Sequence, residues 1–528
     1  MLLYNYKGSF LYIYYVCGDA MNNKKKMKKH VCLKIFQYFI CILLIFIMFF
    51  LLIKSLISTA TVKEGIYEIV HYNSDNFLVN ILMLILYIAA CFLLYPILKK
   101  IKLKYIALFI FCATILMGVI WVINAQIGLN GDSSNIIISA YQFTQGDYSI
   151  LTKSYFKHYP FQLGFTMLCQ LLMTIFSWND NAIPFAIVNV ICLALTYVGI
   201  ILLCATIFKK DIVAKYSGVL CLFCFTAILF CTFVYGIVIS LMFSVWGIFI
   251  YTKYNKNNKI VYLCISAFLL GVSYLIKTNA MIVIIALMII SLIYMINEKN
   301  SKYLIFIVMV MVLSMSLKTI TIQVYENKEN INLDDSEPLI GWLAMGLQES
   351  ERAPGWYNGF NYGNFEASGL SSNVAKENAL REIKKSLNRF IDNPSYTKDF
   401  FEGKICSQWN EPTFESLWFG QSRPSYVERQ GIFKIAYENI DNNGFYYYMN
   451  FYQQFIYLLT LLYFTFNIKN HDLNHIIIPL IILGGFTYHA LFEAKSQFIF
   501  TYFLLMVPLA ASGIVKLHCF SKKVFNKR

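Results

Sequence analysis

From residue 31 onward one pattern recurs along the chain: an apolar run, a short polar break, then another apolar run. The runs fall near 31–53, 76–98, 105–125, 183–207, 216–234, 237–252, 260–276, 280–296, 303–322, 448–467, 475–491 and 498–516. Each is close to the roughly 20 residues that carry a helix across a bilayer. Backbone polar groups in hydrocarbon have to pair within their own segment, so the runs read as helices. Spanning strands would alternate polar and apolar positions at period two, and these runs do not. Residues 160–182 are apolar enough to be a further span. The charges of the connecting loops fit better if this segment is re-entrant or lies on the surface. The expected fold class is an all-α polytopic membrane protein, a bundle of about 12–13 transmembrane helices with a large outer loop.

The polar pattern changes abruptly between about 323 and 447, where Asp334-Asp335, Pro338, Pro354-Gly355 and many asparagines appear. Within it Val374, Leu380, Ile383, Leu387 and Phe390 recur at helical spacing, and Asp392-Asn393-Pro394 ends the run. This predicts an amphipathic helix that lies on the membrane or packs on other loop elements. The chain divides accordingly. Residues 1–104 hold two spans, 105–322 a transmembrane core with a first outer loop at 126–158, 323–447 the large extracytoplasmic loop, and 448–528 the last spans and a basic tail. No internal repeat is visible.

Composition agrees with this class. The 528 residues are 58% hydrophobic and only 14% charged, against roughly 25% charged in soluble domains. The net charge of +15 gathers in short loops such as Lys99-Lys100-Ile101-Lys102-Leu103-Lys104, the mark of cytoplasmic loops rather than of nucleic-acid binding. Lysines after Met21 precede the first span, so residues 1–20 read as an over-extended start and the first run as an anchor. The 14 cysteines lie almost all in apolar runs, Cys221 and Cys224 included, and imply no disulfide framework. His471 and His475 flank a cytoplasmic loop and do not suggest a metal site. P-loop, dinucleotide and nucleophile-elbow motifs are missing from the sequence, so no cofactor is expected.

Polar chemistry concentrates at span ends. Asn130-Gly131-Asp132-Ser133-Ser134 follows a span directly, then come Gly146-Asp147-Tyr148 and Tyr159-Pro160-Phe161-Gln162-Leu163-Gly164. Asp132 is placed to act as a general base for an acceptor hydroxyl. Its alternative is a simple turn residue. Lys277 ends Gly271-Val272-Ser273-Tyr274-Leu275-Ile276-Lys277, and Lys404 opens the stretch that reaches Trp409, Glu411 and Trp418. Glu493 and Lys495 lie in His489-Ala490-Leu491-Phe492-Glu493-Ala494-Lys495-Ser496-Gln497-Phe498. Lysines at span ends also serve as snorkelling anchors, and Glu493 and Lys495 also make a plausible salt bridge.

In order and placement these stretches resemble the GT-C superfamily of membrane glycosyltransferases. The similarity is greatest to family-39-like bacterial members, which resemble protein O-mannosyltransferases and the lipid A aminoarabinose transferase. The resemblance runs from about residue 105 to the end. It departs at Ser133, where many relatives carry a second acid, and at Gln497, where many have arginine before an aromatic. It implies a sugar donor on a polyprenyl phosphate and transfer with inversion, on the outer face of a bacterial inner or plasma membrane, to a glycan, lipid or protein acceptor. It makes Asp132 the base. Asp147, Tyr159, Gln162, Lys277, Lys404, Trp409, Glu493 and Lys495 become substrate-binding candidates, with lysines facing the leaving phosphate. The competing reading is a transporter or flippase for envelope polysaccharide or lipid-linked sugar, which calls for repeated halves and broken helices at mid-membrane.

Overall fold

The computed structural model describes residues 33–525 except 64, 66, 126–127, 422–428, 441 and 469–471. The N-terminal lysines, Met21, His471 and the last three residues of the basic tail lie outside the described residues. Three helices open the fold: α1 (Leu33–Ile57), α2 (Phe77–Lys100) and α3 (Leu103–Ala125). Two short strands, β1 (Ser58–Val62) and β2 (Val70–Ser74), pair antiparallel between α1 and α2. Asn76 starts α2 by accepting from the Leu78 and Val79 amides, and Lys99 and Lys100 sit in its last turn, where the helix dipole favours cations. Next come α4 (Gly131–Thr144), α5 (Ser154–His158), α6 (Leu163–Phe176), α7 (Ala182–Phe208), α8 (Asp211–Leu222) and α9 (Phe225–Phe230). Then follow α10 (Ile237–Asn257), α11 (Val261–Ile276), α12 (Met281–Glu298) and α13 (Lys302–Glu329). The large loop folds as α14 (Leu339–Gly346), α15 (Phe360–Ala367), α16 (Ser372–Asp392), α17 (Pro394–Trp409), α18 (Ser416–Gln421) and α19 (Gly431–Tyr437). The chain ends with α20 (Gly444–Asn467), α21 (Ile477–Leu491) and α22 (Ser496–Phe525).

The molecule is an all-α polytopic membrane protein. Among the described residues nine helices are long and apolar enough to cross a bilayer. The other four expected runs differ, each for a visible reason. The run 216–234 is broken, because α8 stops at Leu222 and α9 restarts at Phe225. Helix α20 turns Asn450, Gln453 and Gln454 inward, which lowers its hydropathy. Helices α6 and α11 have 14 and 16 residues. At ~1.5 Å per residue, α6 falls short of the roughly 30 Å hydrocarbon core.

Burial separates inner helices from outer ones. The apolar window of α22 is 89% buried and that of α2 only 17%, so α22 forms the axis and α2 faces lipid. Small residues let backbones close on that axis. A Cβ on Gly513 would overlap the Leu459 carbonyl of α20, and one on Gly164 would overlap the Leu275 carbonyl of α11. Such close approach is how helices associate where lipid tails remove the hydrophobic drive.

The amphipathic helix of the large loop is present as α16, and only part of its apolar face packs on the protein. Ala375, Ala379 and Phe390 are buried, Ile383 is partly so, and Val374, Leu380 and Leu387 are exposed. Small alanines let α16 seat closely on its neighbours, and the leucines are left at the rim. The expected stop holds: Asn393 caps α17 through the Tyr396 amide and Pro394 takes its first position.

Gly513→Ala is expected to force α20 and α22 apart at a cost of about 1–3 kcal/mol. The melting temperature in detergent should fall clearly. Leu86→Ala, on the exposed face of α2, should leave it nearly unchanged, and equal losses would refute the central placement of α22.

Candidate functional site

A cavity of about 420 Å³ opens between the bundle and the large loop, within the roughly 300–1,000 Å³ range of small-molecule sites. Its first wall is built at the start of α4. Asn130 is extended, Gly131 adopts a left-handed φ of 47°, and Asp132 enters the first helical turn. The positive end of the helix dipole favours a carboxylate there. Asp132 is half-buried, and its Oδ2 accepts a 2.6 Å hydrogen bond from the Tyr235 hydroxyl. Tyr235 in turn accepts from Gln162 Nε2 at 2.8 Å. The Lys277 ammonium lies 3.2 Å from the centre of the Tyr235 ring. The order is therefore carboxylate, phenol, ammonium, with the tyrosine between the two charges.

The second wall is cationic. Lys495, in the turn between α21 and α22, places Nζ 2.8 Å from Glu68 Oε1. The Arg352 guanidinium pairs with the other oxygen, Glu68 Oε2. Backbone hydrogen bonds fix both cations: Gly355 N to Gln348 O and Ala494 N to Gly355 O, each at 2.9 Å, and Val70 N to Arg352 O at 3.0 Å. Gly355 has a φ of 72°, and a Cβ there would meet the Lys404 side chain. Burial pushes the Glu493 carboxyl above its usual range, with Lys495, Arg352 and Lys277 pulling the other way. Burial likewise raises Glu415, with Lys495 opposing it. Tyr159, Trp342, Tyr357 and Trp418 supply flat aromatic faces around the same space.

Six residues singled out from sequence line this cavity together: Asp132, Tyr159, Gln162, Trp418, Glu493 and Lys495. Lys277 approaches it from behind Tyr235. Three others stand apart. Lys404 is fully buried and its ammonium is bound by the carbonyls of Gly346, Leu491 and Phe492. Burial lowers its pKa to about 7, with Glu493 opposing. Its position makes it a strut between the loop and the α21–α22 turn. Trp409 packs on Phe486 and Tyr502 in the core. Asp147 is exposed and caps the following turn, where hydrogen bonds from Ser149 hold its carboxyl below the usual range.

Sequence reading missed Tyr235, Arg352, Glu68, Glu415 and Trp342. Arg352 stands beside Pro354-Gly355, a turn signal that was visible but carried no chemistry by itself. Among the described residues no group of three or more His, Cys, Asp or Glu side chains is arranged to hold a metal ion.

A second cluster anchors the large loop beside the cavity. His158 Nδ1 lies 2.7 Å from Glu337 Oε1 and Nε2 2.9 Å from Glu366 Oε1, and the ring stacks on Tyr362 at 4.3 Å. Burial lowers the imidazole pKa, but the hydrogen bonds and charges of Glu337 and Glu366 prevail, so it stands above its ordinary value. Burial also raises Glu337.

No family model matches the sequence, and no curated protein matches it. Solved structures similar to the chain include three of archaeal oligosaccharyltransferase from Archaeoglobus fulgidus. One is AglB in complex with an inhibitory peptide and a dolichol-phosphate (14% identity, TM-score 0.40, 80% of this chain and 52% of that one). A second carries a tethered acceptor peptide (14% identity, TM-score 0.41, 78% and 50%). The third is an apo form (12% identity, TM-score 0.42, 79% and 51%). The chain spans about half the length of each.

The histidine cluster gives a pH dependence of definite sign. His158 binds its proton more tightly in the folded state, so the stabilisation it contributes is complete below its unfolded pKa, about 6.5. It is lost as pH rises through the higher folded value. Limited proteolysis of the large loop should therefore accelerate above about pH 6.5, after correction for protease activity. His158→Gln should flatten the profile, and an unchanged profile would refute the anchor.

Proposed function

We propose that the chain is a GT-C-type membrane glycosyltransferase that moves a sugar from a polyprenyl-phosphate carrier to an acceptor hydroxyl. The observation that carries this reading is one cavity with a half-buried carboxylate on one wall, two cations on the opposite wall and aromatic faces around them. Attack by the acceptor oxygen on the anomeric carbon forms the new glycosidic bond and breaks the bond to the phosphate oxygen. Asp132 takes the acceptor's proton. Arg352 and Lys495 meet the charge that gathers on the departing phosphate, in a site partly shielded from water. Lys277 acts through Tyr235, whose hydroxyl holds Asp132 in position. The aromatic faces suit the apolar side of a pyranose. The acceptor, whether glycan, lipid or protein, enters from the Asp132 side.

The reading puts the reaction on the outer face of a bacterial cell membrane, and the lysine-rich 99–104 loop supports that orientation, because short basic loops resist translocation. Single cysteines tested with an impermeant reagent on intact cells should label at position 360 and not at 101. The reverse pattern would refute the outer site.

A purified protein with labelled lipid-linked sugar separates the readings: transfer supports the enzyme, movement of intact lipid sugar across a vesicle supports a flippase, and neither result supports a scaffold. Asp132→Asn, nearly isosteric, should fold normally and lower kcat by about 10²–10⁴-fold. Tyr235→Phe leaves the carboxylate in place and should cost about 10-fold, the scale of one hydrogen bond to a charged group. A fully active Asp132→Asn enzyme would remove the proposed base.

A further inference from the structure

The two cations of the cavity are already occupied by the protein itself. Glu68 spends both carboxylate oxygens, one on Arg352 and one on Lys495. It reaches them from the connection between β1 and β2, far in sequence from either partner. The three side chains are largely shielded, at 10% exposure for Glu68, 19% for Arg352 and 16% for Lys495. A carboxylate held this way has the geometry of a phosphate: two acceptor oxygens facing a guanidinium fork and an ammonium. The backbone of the segments that carry the two cations is held without Glu68, by bonds through Val70, Gly355 and Ala494.

Resting on the lipid-phosphate reading above, we infer that Glu68 is an internal competitor for the phosphate seat. It pairs with both Arg352 and Lys495 while the cavity is empty, offsetting one of their two charges, and the donor's phosphate displaces it. Two shielded cations with no carboxylate in direct contact would be costly, because burial strips their water and Glu493 and Glu415 act on them only at longer range. Glu68 lowers that cost in the empty state and returns to the cations when the spent lipid phosphate leaves. The price is weaker binding, because every phosphate has to break two ion pairs before it makes its own. Glu68 thus sets the affinity for donor and product together, without touching the transferred sugar.

The test uses full-length protein in detergent with undecaprenyl phosphate and, separately, inorganic phosphate. Binding is read from intrinsic tryptophan fluorescence and from the ligand-induced rise in melting temperature. Glu68→Gln should melt lower than wild type when empty. It should bind undecaprenyl phosphate about 10-fold more tightly, the scale of one charge-assisted pair removed from competition, and show a larger ligand-induced rise. Lys495→Ala should bind more weakly than wild type. A gain with the lipid alone assigns the seat to a lipid headgroup, a gain with both to phosphate in general, and either supports the competitor. Binding by wild type with no gain in Glu68→Gln overturns the competitor and leaves the donor reading intact. If neither protein binds either phosphate while both stay folded, the donor reading falls and the competitor with it. Should Glu68→Gln not fold, Glu68→Asp, whose shorter side chain reaches the cations less well, is expected to show the same gain, and its absence overturns the inference.

Discussion

Shielded charges at the end of an apolar bundle have to be paired, and in the empty cavity Glu68 meets that need for both Arg352 and Lys495. It joins three segments that share no sequence neighbourhood: the β1–β2 connection, the Pro354-Gly355 turn of the large loop, and the turn between α21 and α22. The backbone reinforces each junction, with Val70 on Arg352 and Ala494 on Gly355. Lys404 adds a buried ammonium across the same seam, bound to carbonyls on both sides. The loop is therefore fastened to the bundle by charge and hydrogen bonding. That suits a region where water and hydrocarbon meet and where apolar contact alone has little to gain.

Across the cavity the logic is different. Among the described residues Asp132 forms no salt bridge; it sits at a helix N-terminus and accepts a hydrogen bond from the Tyr235 phenol. Tyr235 donates to one carboxylate oxygen and turns its ring face to the Lys277 ammonium. On the proposed reading the base and the anion seat come from different segments of the chain, so the proton and the leaving phosphate are taken up by different groups.

The sequence made the spans legible because hydrocarbon allows so few solutions: long apolar runs, satisfied backbones, lysines at one side. It was less informative where packing decides. The break between α8 and α9 lies within one continuous apolar run, and no local signal distinguishes it from a straight helix. Along α16 the apolar spacing does not tell which positions pack on the protein: Ala375, Ala379 and Phe390 are buried, while Val374, Leu380 and Leu387 are exposed. In the site, the residues adjacent to span ends were found, while Glu68 and Arg352 were not. A single acid on a short connection has no pattern of its own, and its meaning comes only from partners hundreds of residues away.

The four lysine and arginine residues near the cavity show how far residue type goes as evidence. Lys277, Lys404, Arg352 and Lys495 all bring a cation to the same end of the molecule. One faces a ring, one is enclosed by carbonyls, and two share a carboxylate. A cation held by carbonyls inside the protein is fixed structure, because exchanging those bonds for a ligand would mean opening the loop. A cation held by one carboxylate at a cavity wall is exchangeable, because another anion can take that place without moving the backbone. What distinguishes a binding lysine from a structural one here is whether its present partner can be replaced, and that property belongs to the fold and not to the lysine.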